Sequence, residues 1–314
     1  MRPFFEAKFA EARQTNQFWC TLAMLAENPT WEAMDLLHNT LAEVALNSNE
    51  RDEILEGLAA NQHEASATII QQWFGDRLHQ PTHDFWTLLS RNPSEHAIRL
   101  LRENVNYIDW EELSANTSDE AITLLLEHPD QIDWTRLSGN SNPRAIDLLR
   151  SNPSKISLSG IVKNSSDFAA EYICQNYRNL TRNDWLCLTV HNEHPRVIQL
   201  LAEHPERIDL GHLCDNYSEA GCRLLLANVH QLNEFHRNSL SLNPCDLVVD
   251  YLLANPTIIC AKYFASNSNS RVPDFMEANP DLYADCNNMY HDKLRVMGVW
   301  SNEAIFQTDF FCFK

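Results

Sequence analysis

A chain of 314 residues, 44% hydrophobic and 21% charged with only seven glycines, has the composition of a folded protein, not of a disordered one. Its formal charge of −19 repels phosphate backbones, so direct binding to nucleic acid is not expected. The sequence holds no apolar run of about 18 residues, the length a membrane-spanning helix needs, and no membrane partner is expected. The first residues lack the apolar core of a signal peptide, and the chain reads as not secreted.

Residues 1–17 predict a polar lead-in helix, with Pro3 in a first turn and Phe4, Phe5 and Phe9 near helical spacing. Leu25-Ala-Glu-Asn28-Pro-Thr30 then opens a repeat that continues to Leu36-Leu37. An insert over 41–57 precedes a second copy, Leu58-Ala-Ala-Asn61 to Ile69-Ile70, and 75–84 reads as a loop. From residue 85 the repeat becomes regular. Its marker Asn falls at Asn92, Asn116, Asn140, Asn164, Asn192, Asn216, Asn243 and Asn267. With Asn28 and Asn61 these make ten copies, each with a large apolar pair eight and nine residues on. A fixed offset kept ten times is the signature of a repeat array with a period near 24 residues.

Each copy can be built physically. Two residues after the marker stands a cap former in most copies: Thr30, Ser94, Ser118, Asn142, Ser166, Ser218 or Asn269. A small or β-branched residue follows, from Ala33 to Val272, and then the paired large residues; the stripe at i, i+3 and i+4 predicts a first helix of about ten residues. That helix is expected to end at an Asn or His, often before Pro, in a left-handed cap (Asn104, His128-Pro129, Asn152-Pro153). Asp109, Asp133 and Asp209 then cap a shorter second helix of six or seven residues, with Asp109 and Glu112 spaced as a capping box. Neither helix buries its stripe alone, so the hairpins must stack.

The predicted fold is an all-α solenoid of about ten short helical hairpins, right-handed or superhelical. It runs as one continuous domain with atypical ends. Residues 1–84 form an N-terminal cap with two irregular copies, 85–283 the regular array, and 284–314 a C-terminal cap or tail. Pro273 falls inside the first helix of the last copy, as an irregular terminal repeat would have it.

The unit Leu137-Ser-Gly-Asn140, Ala145-Ile146-Asp-Leu148-Leu149, Asn152-Pro153-Ser-Lys-Ile156 resembles the short tandem repeats of large DNA viruses of the mimivirus and phycodnavirus type. The likeness covers residues 85–160. It implies a virus-encoded interaction protein in the cytoplasm, the host-cell interior or the virion, and it brings no catalytic residues with it.

Several patterns compete for a functional reading. The Asn column is read as a structural ladder, because an amide both donates and accepts and can satisfy backbone groups freed at each turn. Trp86, Trp110 and Trp134 stand in register with Leu158 and Leu210, which favours core packing over base stacking. The histidines around His191, His194, His204 and His212 occupy cap or surface positions of the repeat, so no metal is expected. Nine scattered cysteines, with no Cys-x-x-Cys, predict free thiols. No nucleophile elbow, phosphate loop or zinc-protease motif is present; the chain reads as a non-enzyme without a cofactor.

The favoured function is a protein-binding scaffold or adaptor whose partner is a protein, with a basic protein among the candidates. Glu111, Glu112, Arg136 and His212, on the short helices, vary between copies and are candidate contact residues. The aromatic tail Phe306, Phe310, Phe311 and Phe313 is a candidate for self-association. Two alternatives remain at this stage: a structural subunit of a large assembly such as a virion, and an acidic decoy that occupies a basic nucleic-acid-binding protein.

Overall fold

A computed structural model describes residues 18–44, 46–75 and 83–279. Among them every regular element is helical and no strand occurs, giving an all-α, solenoid-like fold. The predicted lead-in helix, most of the loop at 75–84, and the tail with Phe306, Phe310, Phe311 and Phe313 lie outside the described residues. The chain divides into two compact units, one up to Gly160 and one from Ile161. Within each, long helices pack on the long helices of adjacent copies and short helices on short ones.

The apolar pair explains that layering. Its second member is buried in all ten copies: Leu37, Ile70, Leu101, Leu125 and Leu149 in the first unit, and Ile173, Leu201, Leu225, Leu252 and Met276 in the second. The first member is buried in some copies and half-buried in others, so it marks the edge of the stripe. Burying one such aliphatic side chain contributes about 1.5–3 kcal/mol, and the array repeats that gain copy by copy. In the second unit Leu225, Leu252 and Met276 join Leu213, Cys222, Leu240, Val248 and Phe264 in one core.

Local chemistry sets the helix ends. Thr30, Ser94, Ser118, Asn142, Ser166 and Ser218 each accept from a first-turn N–H, as the sequence predicts. His63 and His194 do the same through the ring Nδ1, at 3.1 and 3.2 Å.

Three expectations need correcting, and one segment left open in the sequence gains a structure. The long helices do not end in a left-handed residue: Asn104 has φ −130° and ψ 44°, and Asn152 is close to it at −130° and 57°. The Asn is chosen for its side chain. Its amide donates to the carbonyl four residues back at 2.8–2.9 Å in Asn104, Asn152, Asn176, Asn228, Asn255 and Asn279. A three-residue 3₁₀ turn then follows, such as Pro129–Gln131 or Pro153–Lys155, with Pro in its first position. The insert over 41–57 is largely helix: Ser48–Ala60 starts at Asn47, where Asn47 and Glu50 form a complete capping box. The helices that precede the markers range from four residues (Leu158–Ile161, Leu210–Leu213) to thirteen (Ser48–Ala60). Pro273 is not interior, because its helix begins only at Val272 and its missing N–H falls in the first turn.

Candidate functional site

The motif Leu-Ser-x-Asn stitches one copy to the next. Each marker Asn is buried from Asn61 onward. Its Oδ1 accepts from the N–H two residues on, in Asn116 from Ser118 at 3.0 Å and in Asn140 from Asn142 at 2.9 Å. Its Nδ2 crosses to the preceding copy and donates to two carbonyls. Asn61 reaches Ala26 and Asn28, Asn92 reaches Ala59 and Asn61, Asn116 reaches Ser90 and Asn92, and Asn140 reaches Ser114 and Asn116, all at 2.7–3.1 Å. The second unit repeats the device from Asn164 through Asn192, Asn216, Asn243 and Asn267. Asn28 at the start and Asn164 likewise hold the N–H two residues on, Thr30 and Ser166.

The serine of the motif has a role that sequence reasoning missed. Ser114 Oγ donates to Trp110 O at 2.7 Å and accepts from Asp133 N of the next copy at 3.0 Å. Ser138 and Ser241 repeat both bonds, and Ser90 accepts from Asp109 N at 3.1 Å. The signal lay in the serine two residues before each of these markers.

That bond also corrects the capping box expected at Asp109. Asp109 accepts from Glu112 N at 3.1 Å, but its own N–H is taken by Ser90. Glu112 is therefore released to its neighbours. Arg91 grips it with two parallel bonds at 2.7 and 2.8 Å, and Arg136 bonds Glu111 and lies 3.5 Å from Glu112. Three successive short helices thus share one ion-pair row, in which Glu111, Glu112 and Arg136 contact one another. His212, in the second unit, pairs with Asp209 at 3.1 Å.

The Arg91 hydrogen bonds, with the Arg91 and Arg136 charges, hold the Glu112 carboxyl below its usual range despite burial. A carboxylate whose folded pKa is depressed stabilises the fold above its unfolded pKa and loses that contribution as pH falls through the folded value. Between pH 6 and pH 3, wild type should therefore lose about 1 kcal/mol relative to Glu112→Gln, measured by urea unfolding at each pH. Parallel pH profiles would show that the pair contributes nothing.

The Trp column divides. Trp86 is buried, with its indole N–H unpartnered and its ring stacked on Tyr107 at 5.1 Å. Trp110 and Trp134 are only half-buried, because the first residue of a short helix lies at the rim of the layer; Trp110 packs against His128. Burial pushes the Cys214 thiol up to about 12 and raises Cys222 as well, so neither is a ready nucleophile at neutral pH. Among the described residues no group of three His, Cys, Asp or Glu side chains has the geometry to hold a metal ion.

On the long-helix face of the first unit lies a cavity of about 360 Å³. Helices Trp31–Leu41, Glu64–Phe74 and Glu95–Glu103 each contribute to its walls. Trp31, 62% exposed, stands at its rim with the His63 ring 5.8 Å away. Met34 and Ile69 line it with apolar surface, and Asp35 and Glu64 with carboxylates.

These features define the class as an all-α, solenoid-like repeat protein. Comparison of the chain with family models, with curated proteins and with solved structures found no match.

Proposed function

We propose that the chain is a non-enzymatic protein-binding scaffold, built as an α-solenoid and encoded by a large DNA virus. The carrying observation is a fixed frame with a changing face. The marker Asn and the buried apolar partner recur copy after copy. The residue seven places after each marker does not: it runs Asp35, Thr68, Arg99, Thr123 and Asp147 along the long helices of the first unit, each at least partly exposed. A frame whose geometry is already set loses little conformational freedom when a partner lies along it. The −19 charge favours a basic partner, and the viral origin rests on the tandem-repeat resemblance.

The test combines light scattering with affinity capture. The expected result is a monomer that retains one protein at fixed stoichiometry, and loses it when Thr68, Arg99 and Thr123 are replaced by Ala without change in helicity. A chain that self-associates and retains no partner overturns the scaffold and favours an assembly subunit. Retention abolished by 0.5 M salt but unaffected by these substitutions favours the acidic decoy.

A further inference from the structure

The long helices of the first unit follow a rule that one residue breaks. They begin on Trp31, Glu64, Glu95, Asp119 and Pro143. An acid suits the partial positive charge of a helix start, and Pro loses nothing there. Trp31 offers neither advantage and remains 62% exposed. A departure from local consistency whose gain within the chain is one tilted contact with the His63 ring points to use elsewhere.

A second departure lies opposite it. The residue four places after the marker is Arg144 in the Asn140 copy, Arg196 in the Asn192 copy and Arg271 in the Asn267 copy. Arg144 and Arg271 reach back to the long helix of the preceding copy. Arg144 Nη1 donates to Asp119 O at 2.9 Å and Thr123 Oγ1 at 2.8 Å. Arg271 bonds Asp250, and its Nη2 donates to Asp246 at 3.0 Å. In the Asn61 copy this residue is Ala65. Across from it, Asp35 stands in the register of Thr123 and Asp250, and Trp31 in that of Asp119 and Asp246. Ala65, Asp35 and Trp31 all line the cavity, at the register positions that the Arg144 and Arg271 guanidinium contacts occupy in their copies.

We propose that this cavity receives the guanidinium of an arginine carried by a partner protein. The partner supplies in trans what Arg144 and Arg271 supply within the chain. The planar cation stacks on the Trp31 indole, and Asp35 and Glu64 provide the counter-charge. Asp35 also accepts from Asn39 Nδ2 at 3.2 Å. Arg99 and His96 close the far end, 3.2 Å from each other, and His96 Nε2 is 4.0 Å from Glu64. The attractive end is therefore the Trp31 side. This inference rests on the scaffold reading and names one contact within it.

The probe is an end-blocked pentapeptide, Gly-Gly-Arg-Gly-Gly, titrated into the full chain and followed by the Trp31 indole N–H signal in NMR. The signal is assigned by its loss in Trp31→Phe. The expected result is a saturable shift, at least tenfold weaker with the citrulline peptide, which keeps the shape without the charge. Asp35→Asn weakens it similarly. Ala65→Arg restores the internal guanidinium, keeps the unfolding midpoint or raises it, and abolishes the response. Should that variant fail to fold, Trp31→Ala at an exposed site provides the same loss, read by calorimetry. No saturable shift, an equal response to citrulline, or tighter binding of free arginine than of the peptide each overturns the proposal. A partner protein that Trp31→Ala still retains at full affinity overturns the socket and leaves the scaffold standing; a chain that binds the peptide yet retains no protein does the reverse.

Discussion

Asn116→Ala unfolds in urea with about 3–5 kcal/mol less stability than wild type, since three hydrogen bonds vanish and their buried partners lose their pairing. The amide of Asn116 donates to Ser90 O at 2.9 Å and Asn92 O at 3.0 Å, and accepts from Ser118 N at 3.0 Å. The side chain is 4% exposed, so water does not replace it. Asn116→Asp tests the same bonds differently. It keeps the acceptor for Ser118 but turns a carboxylate oxygen toward two carbonyls. At pH 7 it should cost at least as much as Ala. The control is Asn104→Ala, which removes one half-buried bond inside its own helix and should cost about 1 kcal/mol. Equal losses at Asn116 and Asn104 would mean that the bonds between copies add nothing special.

Gly160→Ala sets two effects against each other. Helix propensity alone favours Ala by about 1 kcal/mol. A Cβ at Gly160, however, would lie 2.0 Å from the Thr135 carbonyl oxygen and 2.8 Å from Ser138 Cβ. The first obstacle is backbone, which no rotamer change removes, so the steric term dominates. The net loss should be about 2–4 kcal/mol, the upper range for overpacking. Gly75 is the internal comparison: nothing lies within 4 Å of its added Cβ, and Gly75→Ala should be neutral or mildly stabilising. A stabilised Gly160→Ala would show that the two short helices separate more easily than their packing suggests.

Much of this fold is legible in sequence because its two periodicities are redundant. The marker Asn and the pair after it recur ten times, so any one irregular copy is outvoted. The cap residues are legible for a simpler reason: an exposed helix start needs a local acceptor, and Thr30, Ser94 or Ser118 can be little else there. What the sequence hid were relations between copies. Nothing local says that Ser90 and Ser114 reserve the N–H of the next Asp, or that Glu112 is thereby freed for Arg91. The 3₁₀ turns were hidden as well, since Asn-Pro reads equally as a helix end. The candidate surface followed the same division. Variation between copies picked out Glu111, Glu112 and Arg136, yet those side chains contact one another and Arg91. The cavity over Ala65 emerges only when Ala65 is compared with Arg144 and Arg271 in register.

The central claim is that neighbouring copies are held by side chains reaching from one to the next, so that the array behaves as a coupled frame. Hydrogen exchange by mass spectrometry on wild type and Asn116→Ala tests it most directly. The account predicts faster exchange in His83–Arg91 and Glu95–Glu103 of the preceding copy as well as in Asp119–Glu127, fading toward Trp31–Leu41. Faster exchange confined to Asp119–Glu127, with the preceding copy as protected as in wild type, would contradict it.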